Sequence, residues 1–192
     1  MNIGLDEWRE CEQIGPVDER ERLESYERKV LPHLDAAYNL ARWLAGNDHD
    51  AQDVAQEASL RAFRFFGSFR GENARAWLLS IVRNTFYTWL RKNRPAENLV
   101  EIDDETLAIE DSSARDETAG PQFADAGAVR RAIAGLPVEF REVIILREME
   151  GFSYKEIADL AEVPIGTVMS RLARARKLLQ KSLAREFKPG DQ

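Results

Sequence analysis

The sequence predicts an all-α fold of two small helical domains joined by an acidic linker. Three observations carry that expectation. Every sustained hydrophobic period is helical, with no strand pattern of convincing length. An acidic, aperiodic stretch divides the chain, and the last third spells two short helices around a tight turn, the second of them basic. The expected boundaries are 1–24 for an acidic N-terminal extension, 25–94 for the first domain, 95–125 for the linker and 126–187 for the second domain.

Each element has its own signals. Arg20 to Ala45 reads as one helix with Leu23, Tyr26, Val30, Leu34, Ala37 and Leu40 inward, bent near Pro32 and ended by Gly46. Asn47 and Asp48 offer caps for a second helix through about Phe66, whose early acids suit the helix dipole. Asn73 caps a third, from Ala74 to about Asn93, which stops before Pro95. In the second domain one helix is expected over 127–134 and another from Pro137 to Glu150, with Gly151 at its end. Ser153 and Glu156 have capping-box spacing, and Phe152 can staple onto Ile157. Ala158 and Ala161 are small where two helices must approach, the turn falls at Glu162 and Val163, and Pro164 suits the first turn of the last helix. Along that helix Val168, Leu172, Ala175 and Leu179 share one face, leaving Arg171, Arg174, Lys177, Lys181 and Arg185 outward. Those cations suit phosphates and groove edges, so the unit reads as a helix-turn-helix DNA binder.

A net charge of -7 argues at first against nucleic acid. The acidity is local, however. Residues 95–125 carry ten acids against Arg115, and the first 24 residues carry eight acids against three arginines, which leaves the rest of the chain net positive. The sole cysteine, Cys11, excludes an internal disulfide framework and a cysteine-cluster zinc site. No apolar run approaches the ~18 residues of a membrane helix, and the N-terminus lacks a basic region followed by an apolar one, so a cytoplasmic protein without membrane insertion is expected.

Two further constellations invite a function. On the second helix Asp50, Asp53 and Glu57 fall at i, i+3 and i+7, and Arg61 and Arg64 continue the stripe. His49 beside Asp50 is similar to the paired ligands of metal-dependent phosphohydrolases. Yet His33 is the only other imidazole and no second helix supplies carboxylates, so neither metal nor cofactor is expected. The face reads as solvated or as a protein-docking surface. On the third helix Trp77, Phe86, Tyr87 and Trp89 cannot all share a buried stripe with Leu78, Leu79, Ile81, Val82 and Leu90, so some aromatic surface should be exposed. Arg83, Tyr87 and Arg91 are spaced i, i+4 and i+8, with Asn84 and Lys92 beside them. Aromatics among cations suit unstacked bases, and they equally suit a core; periodicity does not choose between these.

Taken together, Asp50-Ala-Gln-Asp-Val-Ala-Gln-Glu57, Phe69-Arg-Gly-Glu, Ala76-Trp-Leu-Leu-Ser-Ile-Val-Arg-Asn84, Leu90-Arg-Lys92 and Gly166-Thr-Val-Met-Ser-Arg-Leu-Ala-Arg-Ala-Arg176, in this order around an acidic linker, resemble an extracytoplasmic-function sigma factor of the sigma-70 family. The resemblance covers about residues 25–94 and 127–186. It implies a region 2-like three-helix domain and a region 4-like helix-turn-helix domain. It further implies that Asp50, Asp53, Gln56 and Glu57 dock the β′ clamp helices of core RNA polymerase. Asn84 would sit where the family's base-capturing loop forms and, with Arg83, Phe86, Tyr87, Arg91 and Lys92, would open and read the -10 element. Thr167, Ser170, Arg171, Arg174, Arg176 and Lys177 would contact the -35 element, and the linker would thread toward the polymerase channels. The implied partners are core polymerase through β′ and β, promoter DNA and an anti-sigma factor, with no catalytic chemistry. Met169 departs from the pattern, standing where a basic residue is common. Rival readings are a helix-turn-helix regulator binding duplex DNA as a dimer, which needs neither the acidic stripe nor exposed aromatics, and a sigma mimic, which has no need of the basic face.

Overall fold

The computed structural model describes residues 19–93 and 126–186. Cys11, the expected linker and most of the N-terminal extension lie outside the described residues. Where one bent helix was expected, the chain forms α1 (Glu19–Lys29), a 3-10 turn (Leu31–His33) and α2 (Leu34–Ala45). Pro32 has no N–H to continue the ladder, so the break falls there. The start of α1 also lies inside the stretch assigned to the extension. Its Arg22 donates to the carbonyls of Phe63 and Arg64 at 2.9 and 3.1 Å, and Tyr26 meets Phe63 and Phe66 edge to face at 5.2 and 5.3 Å. Terminal helix carbonyls lack intrahelical partners, and Arg22 supplies one. Gly46 ends α2 at φ 79°, a left-handed conformation that glycine adopts without steric cost.

The helix α3 (Asp48–Phe65) starts on Asn47, whose side chain accepts from the Asp50 N–H at 2.9 Å. After a loop, α4 (Ala74–Asn93) starts on Asn73, which accepts from the Ala76 N–H at 2.9 Å. Helices α2, α3 and α4 pack around Leu40, Leu44, Val54, Ala58, Leu78, Val82 and Phe86. The alanines on α3 let the helices come close.

The second domain comprises α5 (Ala126–Ala134), α6 (Val138–Ile144), α7 (Tyr154–Ala161) and α8 (Ile165–Glu186), with α8 packed against the other three. The helix expected to reach Glu150 instead widens into a π turn over Ile145–Met149. The wider turn lets the Phe152 N–H reach back to the Leu146 carbonyl at 3.0 Å, while Gly151 turns the chain at φ 72°. The capping box forms as its spacing predicts, with Ser153 Oγ and Glu156 each serving the other's backbone N–H. Glu162 makes the turn at φ 55°. Among the described residues there is no strand, and no helix is long and apolar enough to cross a membrane.

The two domains touch. Helix α2 meets α6, α4 meets α7, and one cluster of buried apolar side chains runs through both.

Candidate functional site

The acidic stripe lies where the sequence places it, on the outer side of α3. Asp53, Gln56 and Glu57 are exposed, while Asp50 is half-buried and accepts from Asn47 Nδ2 at 2.6 Å. Glu57 pairs with Arg61 at 2.7 Å. Sequence reasoning missed two members of this face. Leu60 and Phe63 are 60% and 47% exposed, at i+4 and i+7 from Gln56, so the surface joins apolar area to the acids and to the exposed Arg64. That spacing was the available signal, hidden because both residues equally suit an inward stripe.

The α4 set divides. Asn84 sits in mid-helix rather than in a loop, and it is exposed, as are Arg91 and Lys92. Phe86 is a core side chain, 1% exposed, four residues from both Val82 and Leu90 on the buried stripe. The surplus aromatic surface expected outside is only partly exposed: Trp77, Tyr87 and Trp89 are half-buried, packed against the same core with part of each ring still in solvent. The second domain supplies part of that cover. Glu142 of α6, fully buried, accepts from Tyr87 Oη at 2.8 Å and pairs with Arg83, whose guanidinium lies 4.8 Å from the centre of the Tyr87 ring. Burial first, then the Glu142 carboxylate, push the Tyr87 phenol well above its ordinary range.

Eight residues earlier on α4, Arg75 pairs with Glu150, donates to its carbonyl at 2.9 Å and lies over Phe152 at 5.2 Å. Arg141 completes the seam, donating across it to the carbonyls of Trp43 and Leu44 at 3.0 and 3.3 Å. Arg83 and Tyr87 are therefore committed to an interdomain contact here. No local signal marks Glu142 as their partner, because a lone glutamate in an amphipathic helix reads as solvent-facing.

On α8 the six expected DNA contacts do not form one face. At about 100° per residue, Thr167, Ser170, Arg174 and Lys177 fall on an arc of roughly 80°. Of these only Lys177 is exposed; Thr167, Ser170 and Arg174 are half-buried, as is Arg171, which lies beyond one end of that arc. Arg176 lies on the other side and bonds Glu148 at 2.9 Å, a contact that raises its pKa. Ser170 Oγ donates to the Thr167 carbonyl at 3.0 Å. No group of three or more His, Cys, Asp or Glu side chains able to hold a metal ion occurs among the described residues.

Comparison with known proteins matches residues 30–96 to sigma-70 region 2 and residues 126–179 to sigma-70 region 4. The RNA polymerase sigma-H factor of Pseudomonas aeruginosa is 39% identical over 166 residues, covering 83% of this chain and 86% of the relative. The ECF RNA polymerase sigma factor SigE of Mycolicibacterium smegmatis is 31% identical over 198 residues, covering 94% and 75%. Among solved structures, the sigma factor RpoE of Bartonella quintana, in complex with the anti-sigma factor NepR, superposes with a TM-score of 0.65 at 32% identity, covering 84% of this chain and 98% of that one.

Proposed function

Because the chain belongs to the sigma-70 family, in its extracytoplasmic-function branch, we propose that it binds core RNA polymerase, directs it to a two-part promoter and helps to open the duplex. The α3 face supports this reading best. An exposed surface of Asp53, Gln56, Glu57, Leu60 and Phe63 repels DNA through its acids and offers a protein both charge and apolar area. A regulator that only binds duplex DNA as a dimer has no use for such a face. The polymerase β′ clamp helices are its proposed occupant.

Promoter contacts divide between the domains. Thr167, Ser170, Arg174 and Lys177 read the -35 element from the outward arc of α8. Asn84, Arg91 and Lys92, already exposed, meet the -10 strand first. Arg83 and Tyr87 join them once α4 parts from Glu142, so promoter opening requires the interdomain seam to open. Phe86 supports α4 from within. By analogy with the relative bound to NepR, an anti-sigma factor holds this chain in check. The protein performs no catalysis of its own and works in the cytoplasm beside the polymerase. In vitro transcription with purified core polymerase on a library of random promoters tests the reading. Specific start sites sharing two upstream elements are expected; transcription no greater than that of core alone refutes it.

A further inference from the structure

Beside the polar arc of α8 runs a second row that the promoter reading does not use. Ile165 and Met169 are 50% and 54% exposed, and Ala173, one turn further, is exposed as well. At i, i+4 and i+8 the three form a continuous apolar strip about 12 Å long at 1.5 Å per residue, comparable to three or four base pairs. Gly166, next to the strip, has open space where a Cβ would stand, so this end of the helix is unobstructed. The strip borders Lys177 on one side and the buried stripe of Val168 and Leu172 on the other. It starts at the helix N-terminus, which in a helix-turn-helix is the end that meets base edges.

An apolar strip beside cations matches one feature of a DNA groove. The major groove is polar except for the C5-methyl of thymine, while phosphates lie along its rims. Arg176 on this side already has Glu148, and a protein partner would fit the apolar half of the face and leave Lys177 without an anion. Charge complementarity therefore favours DNA. We propose that Met169, flanked by Ile165, packs on a thymine methyl in the -35 element, so that the residue standing where a cation is common reads a 5-methylpyrimidine instead of a phosphate or guanine. The proposal rests on α8 being the -35 reader and specifies what it reads.

The test uses holoenzyme assembled from the full chain and core polymerase, with the best duplex recovered from a random promoter library. That duplex is resynthesised with deoxyuridine replacing each upstream thymine in turn, which removes one methyl and nothing else. At one or two positions wild-type holoenzyme should lose roughly three- to fourfold in affinity, the usual scale for one buried methyl group. Met169→Ala should bind the thymine duplex more weakly by a similar factor and be blind to uracil at that position. Met169→Leu should keep the discrimination. Met169 is exposed, so its replacement should leave the circular dichroism spectrum unchanged, and the leucine variant controls for misfolding.

Several outcomes overturn the inference: a wild type indifferent to uracil, an alanine variant as discriminating as wild type, or a selected -35 element without thymine. Each of these leaves the -35 reading intact. If no upstream element is selected at all, the -35 reading fails and takes the inference with it.

Discussion

The outer face of α3 and the seam between α4 and α6 use the same chemistry in opposite surroundings. Glu57 reaches Arg61 in water, where an ion pair contributes roughly 0–1 kcal/mol and salt screens it. Glu142 reaches Arg83 and Tyr87 with almost no solvent, where the carboxylate has lost its hydration and depends on those donors to replace it. The first carboxylate is free to exchange its partner for another protein. The second is bound into the structure, and its release changes the relation of two domains. Docking surfaces and internal contacts are therefore told apart by the solvent around a charge rather than by the charge itself.

Glu142 carries the largest expected effect. Replacing it with Ala strands Arg83 and the Tyr87 hydroxyl at the seam and should cost about 3–5 kcal/mol in chemical denaturation. Glu142→Gln, which keeps the shape, should cost less. Because the lost contact joins domains, small-angle scattering should show an increased radius of gyration; unchanged stability and radius would remove Glu142 from the seam.

Tyr87→Phe tests one donor of the pair. Loss of a hydrogen bond to a charged acceptor should cost about 1.5–3 kcal/mol. Tyr87 has its pKa raised in the fold, so its contribution is complete below the unfolded value of about 10 and declines as pH rises above it. The phenylalanine variant should therefore lose less stability than wild type between neutral and strongly alkaline pH. Tyr26, also raised by burial, retains part of the slope.

Glu156 stands between the extremes, exposed but fixed by the capping box. Ser153→Ala should cost about 0.5–2 kcal/mol. Hydrogen bonds from the Ser153 backbone and then its side chain lower the Glu156 pKa, so that contribution is present above the unfolded value and disappears as pH falls through the folded one. An acid limb flatter than wild type in Ser153→Ala is the expected signature.

On α3 itself, Asp53→Arg with Glu57→Arg should change stability least, within about 0.5 kcal/mol. Co-purification with core polymerase should nevertheless be lost. Retained binding would remove the docking assignment, and a large loss of stability would show that the two faces differ less than their exposure indicates.

Much of the fold could be read from local signals, because those signals act within a few residues. Asn47, Asn73 and the Ser153–Glu156 box cap helices as their spacing requires, Gly46 ends α2, and Pro32 breaks the first helix. The α3 stripe was legible for the same reason. What was hidden depends on distant partners. Glu142 is followed by Val143, Ile144, Ile145 and Leu146, and nothing in that run says that an arginine and a tyrosine from the other domain will cover it. The extra cover on the α4 aromatics comes from the second domain, which the periodicity of one helix does not express. The π turn at Ile145–Met149 shifts the end of α6 in a way that a 3.6-residue period does not express.

Arg141 carries a last consequence. Its guanidinium serves Trp43 and Leu44 near the end of α2, and Ala134 and Leu136 at the end of α5, the latter pair at 2.6 and 2.9 Å. One cation thus finishes two helices belonging to different domains, placing positive charge where both helix dipoles are negative. Fraying at these two ends is consequently shared. A fluctuation that withdraws Arg141 loosens the end of α2 and the end of α5 together, so amide protons near Gly46 and Leu136 should exchange with solvent at correlated rates, although they lie far apart in sequence.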